Sequence, residues 1–216
     1  MPAVARTLEA ARLEALGCVR CALNLGRTQV VYGTGSPDAD LLFVGEAPGR
    51  DEDLQGEPFV GRAGQLLTSI LSEHGIARSD IYIANVLKCR PPNNRDPLPD
   101  EIEACRPWLA EQIERIDPLL IVTLGNFSTK LLLETSVGIS KLHGKTYRFG
   151  ERWLIPTFHP SAALRGGPNG STTRDLRTDI AFAVDTIGRL RAQPQPTARP
   201  EPQRETERAS SEGQLF

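Results

Sequence analysis

The placement of four cysteines narrows most sharply what this chain can become. Cys18 and Cys21 form a close pair near the N-terminus, and Cys89 and Cys105 form a wider pair in the middle, with no other cysteine present. The two pairs meet only if the fold lays the start of the chain onto its centre. Four thiols at one point make a metal or cluster site, or two disulfides. The opening Met1-Pro2-Ala3-Val4-Ala5-Arg6 leads into a charged helical pattern rather than an apolar signal segment, so a cytoplasmic setting is expected. Disulfides do not normally persist there, which favours metal. Structural zinc usually takes its ligands from two short Cys-x-x-Cys hairpins. Here the second pair is wide and each member lies beside proline, in Cys89-Arg90-Pro91-Pro92 and Cys105-Arg106-Pro107. Uneven loops of this kind suit an iron–sulfur cluster at least as well. On spacing alone, zinc and plain buried thiols stay open.

With 216 residues the chain can bury one sizeable core. Its net charge of -2 gives no global pull toward nucleic acid, so any DNA contact requires a local basic surface. No apolar run approaches the roughly 20 residues of a membrane-spanning helix. Residues 1–190 read as one folded domain. From Arg191 to Phe216 the text is rich in Pro, Glu and Arg with little to bury, and is expected to be a disordered tail.

Within the domain, four short apolar runs alternate with helical patterns. The runs are Asp40–Gly45, Ile81–Val86, Leu119–Gly125 and Trp153–Phe158. Apolar on both faces, they predict buried parallel strands. Helical periodicity covers 63–74, 99–116, 127–134 and about 173–190, and the segment 145–153 has the character of a hairpin. The alternation predicts an α/β fold: three α/β/α layers around a central, mainly parallel four-stranded sheet.

Ligands of such sheets bind beyond the carboxyl ends of the strands. Gly45, Glu46 and an acidic Gly/Pro loop carrying Asp51, Glu52 and Asp53 follow the first run, with Phe59 a little beyond. Asn85 lies near the end of the second run, which leads to Lys88-Cys89, and the fourth ends in His159-Pro160-Ser161. Each residue alone has an ordinary reading as a turn, cap or core residue. Together an aromatic face, an amide, an acid and a histidine are what a pocket for one planar heterocycle requires.

The stretch Gly45–Gly64, the segment from Asn85 through Lys-Cys-Arg-Pro-Pro (88–92), and His-Pro-Ser-Ala-Ala-Leu-Arg (159–165) closely resemble the motifs of the iron–sulfur, or family 4, uracil-DNA glycosylases. The cysteine spacing matches too, and the resemblance covers roughly residues 16–190. It implies a monofunctional enzyme that flips uracil out of DNA, hydrolyses its N-glycosidic bond and leaves an abasic site for base-excision repair. It also implies a [4Fe–4S] cluster on Cys18, Cys21, Cys89 and Cys105. By the same resemblance Gly45 and Glu46 line the uracil pocket, Phe59 stacks under the flipped base, and Asn85 pairs with O4 and N3–H. His159 meets O2 as the bond breaks, and Glu52 is the acid that stabilises the sugar cation or orients water.

The segment 159–165 is expected to enter the minor groove, with Leu164 as wedge and Arg165 as the alternative. Arg50, Arg62, Lys88, Arg90, Arg95 and Arg165 lie near these loops as candidate phosphate contacts. The expected partner is uracil-containing DNA, bound by a nucleoid-associated monomer without a membrane. The terminal Gln214-Leu215-Phe216 is similar to peptides that dock on bacterial sliding clamps, which would tether the enzyme near replicating DNA. Relatives that trap uracil covalently carry a basic insertion after the second strand, and Pro91–Pro97 shows none. A non-catalytic DNA-binding module would retain DNA affinity without base release.

Overall fold

The structure, a computed structural model, describes residues 7–192. Helix α1 (Leu8–Leu16) opens the chain, capped by the Thr7 side chain, which accepts from the Ala10 amide. The strands are β1 (Thr34–Gly35), β2 (Leu41–Gly45), β3 (Tyr82–Asn85), β4 (Leu120–Leu124), β5 (Tyr147–Phe149) and β6 (Arg152–Thr157). Between and after them run α2 (Arg50–Gln55), α3 (Arg62–Glu73), α4 (Pro99–Ile116), α5 (Asn126–Leu132), α6 (Ile139–Leu142), α7 (Pro160–Gly166) and α8 (Ser171–Ala192).

The strands form one mixed sheet in the order β1-β3-β2-β4-β6-β5. The four expected strands are its parallel centre, and an antiparallel strand closes each edge. The expected count of four strands is therefore corrected to six. The hairpin near residue 150 supplies β5, whereas β1 is only two residues long, ends in glycine and leaves no periodic trace.

Register explains why these strands read as apolar throughout. Tyr82, Leu42, Ile121 and Leu154 form one row across the sheet and point to one face. That face packs against Ala11 and Ala15 of α1 and Trp108, Leu109 and Ile113 of α4. The alternate residues Phe43, Ile83, Val122 and Ile155 point to the other face, against Leu67, Ile70 and Leu71 of α3 and Leu176, Ile180 and Ala183 of α8. Helices thus cover both faces, and each buried large aliphatic contributes about 1.5–3 kcal/mol.

Two expectations of detail change. Residues 160–166 form the short helix α7 with His159 as its N-cap rather than a loop, while Cys105 lies in α4, inside the helix expected over 99–116. Helix α8 runs to Ala192, just past the expected domain end, and Arg191 reaches back to Asp40 at 2.7 Å. The remaining tail, with Gln214-Leu215-Phe216, lies outside the described residues. Among the described residues no helix is long and apolar enough to cross a membrane.

Candidate active site

The carboxyl ends of β2, β3, β4 and β6 open into a cleft of about 840 Å3. Glu46, Glu52, Phe59, Asn85, His159 and Arg165 all line it. Sequence register brings the first two strand ends together: Gly45 pairs directly with Asn85. A Cβ on Gly45 would stand 2.4 Å from Asn85 Oδ1 and 2.6 Å from the Phe59 ring. Glycine is required there because the amide and the ring both occupy the space above it.

Asn85 is 1% exposed, yet neither its Nδ2 nor its Oδ1 has a hydrogen-bond partner. An unsatisfied buried polar group costs about 1–3 kcal/mol, so an amide left open on both atoms is poised for a ligand offering one donor and one acceptor. The Phe59 ring lies 5.6 Å from that of His159, inclined by 33°. Phe59 itself sits at φ 55°, in the left-handed region that non-glycine residues seldom adopt.

Two side chains hold that strained residue from opposite sides. Arg78 donates to the carbonyls of Pro58 at 2.8 Å and Phe59 at 3.2 Å, and to Thr68 Oγ1. Glu52 accepts the amides of Val60 and Gly61 at 3.0 and 2.8 Å, and its other oxygen accepts from Gly49. Both Glu52 oxygens are thus engaged with backbone. Arg78 lies in no motif, and only the geometry reveals it.

At His159, Nδ1 accepts the Ser161 amide at 3.1 Å and lies 2.8 Å from Ser161 Oγ. Burial, assisted by the Arg165 charge, lowers its pKa to about 4. The ring is therefore neutral at physiological pH, and with Nδ1 accepting, its proton is on Nε2. Glu46 is moved the other way: burial and then the nearby Asp96 raise it to about 7, with Arg165 opposing. Of the neighbouring acids, Asp53 turns away from the cleft and accepts the Thr28 and Gln29 amides.

Arg50, Arg62, Arg95 and Arg165 line the cleft, with the Arg95 guanidinium paired to Glu101 at 2.6 Å. Lys88 does not: it is 1% exposed and its ammonium donates to the Asn85 carbonyl and to Gln112 Oε1, which corrects its assignment to DNA. Leu164 is exposed on α7 but is not part of the cleft wall, whereas Arg165 is.

None of the four cysteines forms a disulfide, and all four line one small cavity with Ala15, Lys88 and Trp108. Three of the sulfurs receive donors: Trp108 Nε1 to Cys18 at 3.3 Å, Arg27 Nη1 to Cys89 at 3.2 Å, and the Lys88 amide to Cys105 at 3.3 Å. Burial pushes Cys89 up and Cys105 up to about 11, which disfavours thiolate in the bare protein. Donors aimed at sulfurs suit thiolates that carry charge to a metal. The residues therefore fit a thiolate-held group. Among the described residues, no three His, Cys, Asp or Glu side chains are gathered tightly enough to hold a single ion.

The description Uracil DNA glycosylase superfamily matches residues 32–180 of this chain. A type-4 uracil-DNA glycosylase of Archaeoglobus fulgidus is 45% identical over 194 residues, covering 85% of this chain and 93% of that protein. One from Thermotoga maritima is 51% identical over 172 residues, covering 79% and 89%. A type-5 uracil-DNA glycosylase of Thermus thermophilus stands further off, at 29% identity over 74% and 81%. With a family match over most of the domain and near-full-length relatives at such identity, the chain belongs to the uracil DNA glycosylase superfamily, among its type-4 uracil-DNA glycosylases.

Proposed function

We propose that this chain is a monofunctional uracil-DNA glycosylase that removes uracil from DNA and leaves an abasic site. The observation that carries the reading is the buried Asn85 amide, unpaired at both atoms and set beside Phe59 and His159. Uracil O4 accepts from Nδ2 and its N3–H donates to Oδ1, while cytosine presents the reverse pattern and leaves both buried groups unmet. The names of the type-4 relatives support the same substrate.

Phe59 stacks on the extruded ring. As the C1′–N1 bond breaks, its electron pair passes into the uracil ring and charge collects on O2. The Nε2–H of neutral His159 donates to that oxygen, a preorganised donor meeting charge where it develops. Water then bonds to C1′ of the cationic sugar, the step for which glycosidases also use a carboxylate. Glu46, poised near neutrality and lining the cleft, takes the water's proton. Glu52 contributes negative charge beside the sugar and holds the 59–61 backbone through its three amide bonds. Lys88, a fully buried amine, lines the cysteine cavity rather than the cleft, and among the described residues no lysine lines the cleft to form a Schiff base.

Cys18, Cys21, Cys89 and Cys105 hold a [4Fe–4S] group in this reading. The four thiolates would hold it, with Trp108, Arg27 and the Lys88 amide donating to three of the sulfurs. When bound it ties α1 to α4 and the segment after β3. Leu164 or Arg165 fills the vacated base position, and the rim arginines hold phosphates of DNA bound by a monomer at the nucleoid.

The test is anaerobically purified protein on a labelled oligonucleotide with one uracil, followed by alkali, beside Asn85→Ala. Strand breakage only after alkali, and much less of it with the variant, is expected. Binding without base release by iron-replete protein would replace the enzyme with a DNA-binding module.

A further inference from the structure

Lys88 is buried between the cysteine cavity and the base pocket, and its position answers a gap in the sheet. Strands β1 and β3 pair antiparallel, Thr34 with Ile83 and Gly35 with Tyr82. Carried on by two residues, that register would set Tyr32 opposite Asn85. The ladder stops short of that pair. In its place Gln112 Nε2 donates to the Tyr32 carbonyl at 2.8 Å, Lys88 Nζ donates to the Asn85 carbonyl at 2.7 Å, and Lys88 Nζ also donates to Gln112 Oε1. Two side chains thus complete the missing rung behind the residue whose amide faces the pocket.

The same lysine is fixed to the cysteine centre by its backbone. Its amide donates to Cys105 Sγ at 3.3 Å, its carbonyl accepts from Val31 at 2.8 Å, and Cys89 follows it in the chain. Both acceptors of its ammonium are neutral, an amide and a carbonyl. The ring of Tyr32, the residue whose carbonyl Gln112 holds, lies 5.7 Å from the same ammonium.

We propose that Lys88 is a positioning residue that couples the cysteine centre to base reading: the anchored cysteines fix Lys88, and Lys88 fixes the Asn85 backbone from which the reading amide projects. The inference rests on the uracil-reading assignment of Asn85. It gives the cysteine centre a part in substrate affinity as well as in holding the chain together.

The experiment compares wild type with Lys88→Met, which is one heavy atom shorter, keeps an unbranched apolar stem and deletes the charge and donors. Iron and sulfide content and the visible absorption of the purified protein report the cysteine centre. Inhibition by free uracil reports the pocket without requiring turnover, and affinity for uracil-free DNA reports the rim. The expected result is normal iron content, unchanged affinity for uracil-free DNA and inhibition by uracil at least tenfold weaker. Normal iron with unchanged inhibition overturns the proposal. If Lys88→Met loses iron or fails to fold, Gln112→Leu decides, since it keeps the ammonium and removes its second acceptor. Uracil inhibition weakened about threefold at normal iron content supports the coupling, and unchanged inhibition overturns it. Wild-type protein that neither binds nor releases uracil would instead defeat the functional assignment, and that result needs no variant.

Discussion

At the base pocket the decisive polar groups are left without partners, whereas at the cysteine centre three of four sulfurs already receive a donor. Asn85 offers both atoms of its amide to the cleft, and His159 accepts the Ser161 amide at Nδ1, which places its proton on Nε2. Cys18, Cys89 and Cys105 are met by Trp108, Arg27 and the Lys88 amide. The first site is arranged for a neutral ring that supplies its own donor and acceptor. The second sets donors against sulfurs, an arrangement that suits ligating thiolates. Strain follows the same division. The pocket holds the left-handed Phe59, while no cysteine has a positive φ.

The largest effect that tests this contrast is at His159. His159→Ala removes the donor to O2, and its single-turnover rate should fall by about 10²–10³, the usual cost of losing such a donor. Iron content should not change, because nothing at the cysteine centre touches His159. A rate within a few-fold of wild type would take His159 out of the mechanism.

Gly45→Ala and Cys18→Ala form the next pair, each directed at one region. The new methyl of Gly45→Ala collides with Asn85 and Phe59, and overpacking of ~1–3 kcal/mol predicts uracil affinity lower by roughly tenfold to a hundredfold. Its cysteine centre should stay intact. Cys18→Ala should do the reverse at first order: iron is lost or labile, and the melting temperature drops by about 2–4 °C for each kcal/mol removed. Amide exchange in α1 should rise with it. An exchange increase that spreads to Asn85 would show that the regions are coupled rather than separate.

How much of this was visible beforehand depends on the kind of signal. The four central strands were legible because their residues are apolar on both faces, and helices α3, α4 and α8 because their apolar stripes are long. Strand β1 was not, since two residues ending in glycine carry no period. The placement of Asn85 and His159 at strand ends followed from strand position alone. The roles of Arg78, Gln112 and Lys88 did not. Arg78 acts on carbonyls 19 and 20 residues away, and Gln112 meets Lys88 across 24, so neither leaves a local pattern. Lys88 misled for a related reason: a lysine beside a DNA-facing loop looks solvated until the fold buries it.

Arg78→Met sharpens the contrast from the strained side. Its guanidinium holds the Pro58 and Phe59 carbonyls, and hydrogen bonds to a charged group contribute about 1.5–3 kcal/mol. The expected outcome is a roughly tenfold loss in the single-turnover rate, at normal iron content, because the stacking ring is no longer held. Arg78→Lys should recover part of it. If Arg78→Met lowers the melting temperature but leaves the rate untouched, the Phe59 loop is held well enough by Glu52 alone.

A pH profile separates the two acids of the pocket. Glu46, raised to about 7, is mostly protonated below neutrality and ionised above it. As the base that receives the water's proton it must be ionised, so the rate rises with pH through about 7 and levels beyond. His159, lowered to about 4, stays neutral across that window and adds no limb of its own above pH 5. The profile should gain about tenfold between pH 5 and 6 but less than about twofold between pH 7 and 8, as expected for a single titrating base. Glu46→Gln should flatten that slope and lower the plateau. If the slope survives in Glu46→Gln, the titrating base lies elsewhere in the cleft, and Glu52 is the residue to change next. Its two oxygens are shared among three amides, so Glu52→Gln should also loosen the Phe59 loop, a loss that Glu46→Gln would not produce.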